Sequence, residues 1–233
     1  MADFLNKNSL LNLGLGILYR YLTGDTEQEE QKQQLPELAE IAPIIRLKHK
    51  RGAVVILIGR RESGKSVAAY RIADILDRPT YAVSPEQTPP SWVTELKLEE
   101  LNEQPPPGSV LILDDVPVYM GSRDYQNSFV QQVERLIPVV RHKRGLILIF
   151  STQSSAQSDK YILDSDLILL KPANLLFADL ERSGVAKLYK QVMPVYDQMS
   201  EYQQKRHIFV FSQSWKGLAG VSLPKSEQDK VSD

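Results

Sequence analysis

A mostly parallel α/β sheet flanked by helices is the fold class that this 233-residue chain predicts. Three stretches carry the prediction. Ala53 to Ser66 reads AVVILIGRRESGKS, an apolar run entering a glycine-bounded loop. Ser109 to Val116 reads SVLILDDV, an apolar run that ends in two carboxylates. Gly145 to Phe150 reads GLILIF and runs into Ser151-Thr152-Gln153. Short continuous apolar runs bounded by turn residues are strands covered on both faces, as parallel sheets require.

The first stretch carries the most chemistry. Gly59-Arg60-Arg61-Glu62-Ser63-Gly64-Lys65-Ser66 fits G-x-x-x-x-G-K-[ST] at every fixed position. The glycines let the loop wrap closely, so that backbone N–H groups converge on phosphate oxygens. Lys65 can reach the β- and γ-phosphates of ATP, and the Ser66 hydroxyl can ligate Mg²⁺. The helix opening here, with Val67 as its first apolar residue, turns its unpaired N–H groups toward the same anion. A chance glycine-rich turn would lack the strand before it and the helix after it.

In the second stretch Val110 to Leu113 delivers Asp114 and Asp115 to the carboxyl end of a strand, where ligands of open α/β sheets bind. This is the Walker B arrangement, with Asp114 the candidate Mg²⁺ ligand. Asp115 is the candidate base that polarises the attacking water. Side by side the two acids repel, and one pKa rises unless a cation sits between them. The third stretch ends in Gln153. A strand lying between the other two would bring that amide near the γ-phosphate; a polar strand-end cap is the alternative, and spacing leaves both open.

The elements between follow in order. Val67, Ile72, Ile75 and Leu76 recur at helical spacing up to Asp77-Arg78-Pro79. Thr80 to Ser84 is a short strand. The proline-rich stretch from Pro85 to Pro107 holds Trp92 as a core plug. Asp124 to Ile137 is an amphipathic helix. Leu167 to Leu170 is a strand, Ala173 to Leu188 a helix and His207 to Ser212 a strand, with Trp215 and Leu218 packing after it. His49, His142 and His207 have no partners at metal-ligand spacing and are read as structural.

Three expected segments divide the chain. Residues 1–45 hold an apolar helix, Ser9 to Leu22, and a Glu/Gln-rich acidic linker that is a solvated helix or a disordered connector. Residues 46–224 form the nucleotide-binding domain, opened by the basic cluster Arg46, Lys48, His49, Lys50 and Arg51. Residues 225–233 are a charged tail. The apolar helix either packs on the domain or meets a partner: a sister subunit, a capsid vertex or a membrane surface.

Composition sets bounds. Hydrophobic residues make up 42% and charged residues 24%, ordinary for a globular chain. Net charge is −1, so any DNA contact must come from a local patch or a ring of subunits. Cysteine is absent, which excludes disulfides and thiolate metal sites and fits a cytoplasmic protein. No apolar run approaches the ~20 residues of a spanning helix, and no signal-peptide pattern opens the chain.

Together, GRRESGKS, VLILDD and RHKRG leading into LILIFSTQ resemble the FtsK–HerA superfamily of P-loop ATPases, of the ASCE or RecA-like kind. The small size and the late FSQSWKGLAGVSLP segment look most like the genome-packaging ATPases of membrane-containing double-stranded DNA viruses. The resemblance covers Ala53 to Pro224. It implies a homomeric ring, commonly a hexamer, that threads double-stranded DNA and acts in the host cytoplasm or on the virion. A neighbour's arginine would complete each site, with Arg144 and Arg141 the first candidates and Arg182 in reserve. Arg60 and Arg61 would touch phosphate in cis, and loops such as Val118 to Arg123 or Pro85 to Ser91 would meet DNA. One position departs from the pattern: the second acid is often Glu there and is Asp115 here, so it must sit closer to its water.

Three other readings stand beside the motor. A Zot-like phage-assembly ATPase usually brings a transmembrane segment. A small-molecule or nucleoside kinase carries lid arginines and an acceptor pocket, against which the Asp-Asp pair and the Ser-Thr-Gln strand end argue. A helicase-loader-like switch ATPase more often ends this strand in Asn.

Overall fold

The computed structural model describes residues 35–45, 47, 52–85, 87–97, 100–101, 105–115, 145–153, 165–173 and 183–224. Within them lie the strands β1 (Ala53–Ile58), β2 (Thr80–Val83), β3 (Thr94–Glu95) and β4 (Val110–Asp114). They are followed by β5 (Ile147–Thr152), β6 (Leu167–Leu170), β7 (His207–Ser212) and β8 (Lys216–Gly220). The helices are α1 (Leu38–Ile41), α2 (Lys65–Leu76), α3 (Ser183–Tyr196) and α4 (Glu201–Arg206). The strands form one sheet in the order β3-β2-β4-β5-β1-β6-β7-β8. All pairings from β3 to β6 are parallel, and β7 and β8 close one edge antiparallel. The predicted α/β class is the one observed.

The two faces of the sheet are sorted by the two-residue period of its strands. Val54, Ile56, Ile58, Leu111, Leu113, Leu148 and Phe150 turn to one side and meet Tyr189, Val192 and Tyr196 of α3. Val55, Leu57, Ile112, Ile147, Ile149 and Leu169 turn to the other and meet Ala69, Ile72 and Leu76 of α2. Every residue of β1 is fully buried. At roughly 1.5–3 kcal/mol per large apolar side chain, this central strand anchors the domain.

α2 ends where sequence reasoning put it. Asp77 turns left-handed at φ 55° and its N–H caps the helix on Ala73 O and Asp74 O. Pro79 follows and cannot continue the helix. Trp92, expected as a core plug, is half-buried at the margin of the core, where it packs edge-on against Tyr70 with ring centroids 6.4 Å apart.

Other expectations shift. Ala173 lies in a loop rather than a helix, and α3 runs from Ser183 past Leu188 to Tyr196. Tyr196 is fully buried and its hydroxyl donates to Leu170 O at 2.7 Å, tying the helix end to β6. The end of the acidic stretch is docked rather than solvated: Leu38 and Ile41 of α1 are buried beside β8 and α2. The Ser9–Leu22 helix, the basic cluster, the Asp124–Ile137 helix, the Val118–Arg123 loop and the tail lie outside the described residues, as do Arg141, Arg144 and Arg182. Among the described residues, no helix is long and apolar enough to cross a membrane.

Candidate functional site

Strand register assembles the site. Ile58 pairs with Thr152 on one side and with Leu170 on the other. The next residues, Gly59, Gln153 and Lys171, therefore leave the sheet in one row. Asp114 pairs with Ser151, which brings Asp115 to the same edge. The strand carrying Gln153 lies between the P-loop strand and the Asp114 strand, the placement on which its chemical reading depended.

The loop between Gly59 and Lys65 is held by its own polar groups. Ser63 Oγ donates to Arg60 O at 2.8 Å, and Lys65 Nζ donates to the same carbonyl at 3.1 Å. Gly64 caps α2 at φ 85°, a left-handed backbone that only glycine takes without strain. Glu62 is also left-handed, at φ 59°. Arg60 Nη2 donates to Gln204 Oε1 of α4 at 3.1 Å, so that cationic side chain points back onto the domain.

Lys65 and Asp115 form a buried pair, with Nζ to Oδ2 at 3.1 Å. Asp115 turns left-handed at φ 48°, and its N–H donates to Ser151 O at 3.2 Å. Gln153 Nε2 reaches the same Oδ2 at 3.4 Å. Burial pushes the Asp115 carboxyl above the ordinary carboxylate range. Lys65 opposes that rise through charge and hydrogen bond, Asp114 adds to it, and Gln153 opposes it. Asp114 is held separately: its Oδ2 accepts from Gln87 Nε2 at 2.8 Å.

The donor set fits a divalent cation. Oδ1 of Asp114 and Oδ1 of Asp115 are both buried, and among the described residues neither has a hydrogen-bond partner. Two orphaned carboxylate oxygens at one strand end are costly without a cation or its water. They are hard oxygen donors of the kind Mg²⁺ takes, with few protein ligands and several waters. Among the described residues no group of three or more His, Cys, Asp or Glu forms a metal cluster, and His207 Nδ1 is spent on Gln203 O at 2.7 Å.

The site thus brings together Gly59 to Val67, Asp114, Asp115 and Gln153. Sequence reasoning missed two of its neighbours. Gln87 had no local signal, because a glutamine in a proline-rich loop is ordinary. Lys171 had one: it directly follows the apolar run Leu167–Leu170, as Asp114 directly follows Val110 to Leu113. It is fully buried, and its Nζ donates to Lys205 O at 2.7 Å. Burial pulls its ammonium down to about 7.

No protein-family model and no curated protein matches the chain significantly. Solved structures do. The conjugation coupling protein TcpA of pCW3, with ATPγS, is 10% identical with a TM-score of 0.52, over 76% of this chain and 62% of its own. The DNA-packaging ATPase B204 of Sulfolobus turreted icosahedral virus is 14% identical with a TM-score of 0.48, over 73% and 98%. The genome-packaging NTPase B204 of Sulfolobus turreted icosahedral virus 2, with AMPPCP, is 14% identical with a TM-score of 0.45, over 74% and 100%. The likeness to TcpA is one of architecture, and together with the strand order and the glycine-bounded loop it makes this a P-loop NTPase fold.

Proposed function

We propose that the chain is an ATP-hydrolysing motor that moves double-stranded DNA, in the role of packaging a viral genome. The observation that carries the hydrolytic half is the chain of contacts Lys65–Asp115–Gln153, which joins the phosphate lysine, a buried acid and a strand-end amide. A kinase would need an acceptor pocket in their place. The DNA half rests on the resemblance of the motifs to FtsK–HerA ATPases. It is supported by the like fold of TcpA, a coupling protein solved with ATPγS.

Each residue then has a role. The P-loop N–H groups from Gly59 to Ser66 hold the phosphates of ATP, with Val67 following in α2. Lys65 leaves Asp115 for the β- and γ-phosphates, which frees the carboxylate. Asp115 takes a proton from water as the water oxygen bonds to the γ-phosphorus, and the bond to the β–γ bridging oxygen breaks to release ADP. Gln153 orients that water. Ser66 and Asp114 would hold Mg²⁺, which would supply neutralisation of the charge that builds on the phosphate oxygens. Arg144 or Arg141 of a neighbouring subunit completes the site in a ring, commonly a hexamer, a contribution worth ~10³–10⁵ in rate. Residues 9–22 supply a contact with a sister subunit, a capsid vertex or a membrane.

The test is ATPase rate against protein concentration, with and without linear double-stranded DNA, beside Lys65→Ala. A rate per subunit that rises with both supports a ring motor with shared sites. A rate flat in both sets the translocase aside and moves the kinase and switch readings forward.

A further inference from the structure

Lys171 has no part in the reading above, yet it is packed against the P-loop from behind. A Cβ on Gly59 would stand 2.5 Å from Lys171 Cβ, and one on Gly64 would stand 3.4 Å from Lys171 Nζ. The backbone holds it there as well. Lys171 N–H donates to Ile58 O at 2.8 Å, and Arg60 N–H donates to Pro172 O at 2.8 Å. Its ammonium ends on Lys205 O, a carbonyl at the end of α4. A buried cation whose partner is a neutral carbonyl is costly, because desolvation is not repaid by an opposite charge.

Among the described residues, the other charged groups on the packed elements do not supply that charge, and Glu62 of the loop is exposed. Lys65 and Asp115 are paired with each other, as are Lys205 and Glu201, and Arg60 is bonded to Gln204. Asp114 is held by Gln87. With the described carboxylates engaged or exposed, an anion in the P-loop, on the other side of Gly64, is placed to balance Lys171.

We propose that Lys171 is a second lysine of the phosphate site, a positioning residue that braces the P-loop against α4 and whose buried charge is balanced by nucleotide phosphate. This rests on the nucleotide-site reading. Phosphate in the loop favours the ammonium form, so binding raises the affinity of Lys171 for its proton. With the ammonium lying at about 7 beforehand, affinity is greatest at low pH and falls as pH rises through neutrality, where binding takes up to about one proton.

The experiment is calorimetric titration of MgADP into the full chain at pH 8, in two buffers of different ionisation enthalpy, for wild type, Lys171→Arg and Lys171→Met. Thermal unfolding without nucleotide runs beside it. Lys171→Met is expected to bind about tenfold more weakly and to lose the proton uptake, with its melting temperature unchanged or raised. Lys171→Arg, charged at every pH, is expected to bind without proton uptake. Equal affinity and equal proton uptake in wild type and Lys171→Met overturn the proposal. So does an affinity loss accompanied by a matching fall in melting temperature, which marks a scaffold residue. A wild-type chain that binds no MgADP overturns the nucleotide reading, and this one with it.

Discussion

Lys65 Nζ lies 3.1 Å from Asp115 Oδ2, so the phosphate lysine and the second strand-end acid neutralise each other across the sheet edge. On the proposed mechanism the pair would work as a latch: phosphate would compete for the lysine, the acid would be released as the lysine departs, and hydrolytic competence would follow binding rather than precede it.

Lys65→Ala therefore does more than weaken nucleotide binding. It leaves a buried carboxylate without its cation, which costs on the order of 3 kcal/mol. Asp115 then rises further, so the loss is largest at neutral pH and shrinks as acid protonates the group. Urea unfolding at pH 5 and pH 8 measures it; equal losses at both would sink the latch.

Asp115→Asn is expected to bind nucleotide and to hydrolyse it ~10²–10⁴ times more slowly. Its effect on folding has the opposite pH dependence. The folded carboxyl is raised above its unfolded value by burial, so the unfolded state loses its proton first and wild-type stability falls as pH climbs through that window. The amide has no proton to lose, but it leaves the buried Lys65 without its carboxylate, an offset present at every pH tested. From pH 4 upward the wild-type stability should fall while the variant's stays level, so the gap between the two curves changes with pH in the variant's favour.

Gln153→Glu adds a carboxylate 3.4 Å from Asp115 Oδ2 in place of a donor. Asp115 loses a hydrogen bond that favours its charged form and gains a like charge, and both changes push it up. The acid limb of the pH–rate profile should move to higher pH, while Gln153→Ala slows hydrolysis with a smaller displacement. A limb that stays in place would separate Gln153 from the base.

Gln87→Ala removes the donor on Asp114 Oδ2. That bond competes with a cation for the same oxygen. The variant should need less Mg²⁺ for half-maximal ATPase rate and lose about 1 kcal/mol of stability. An unchanged Mg²⁺ titration would count against Asp114 as the metal ligand.

The central strands were legible because they are buried on both faces, and such strands read as unbroken apolar runs. The motif residues were legible because each closes such a strand: Gly59, Asp114, Gln153. Edge elements were not. β8 reads KGLAG, a poor strand by propensity. Its Gly220 lies against the Glu37 side chain and its N–H donates to Pro36 O, so the glycine serves a close approach made with distant residues. α3 extends beyond its expected end because Tyr196 is drawn onto β6, a tertiary contact that no local period announces. Gln87 meets Asp114 across 27 positions by loop geometry alone.

The bond between Arg60 and Gln204 joins positions 144 residues apart, and the Lys205 carbonyl is the wall against which Gly64 turns. On the ribosome, the P-loop emerges early and waits for α4 to leave the exit tunnel before its outer wall exists. Closing so long a loop adds little entropic cost beyond closing a medium one, but it sets an order of events. A chain cut short before Glu201 makes every residue of GRRESGKS and still lacks the surface that shapes it. The shape of the P-loop is thereby tied to the emergence of α4 from the ribosome.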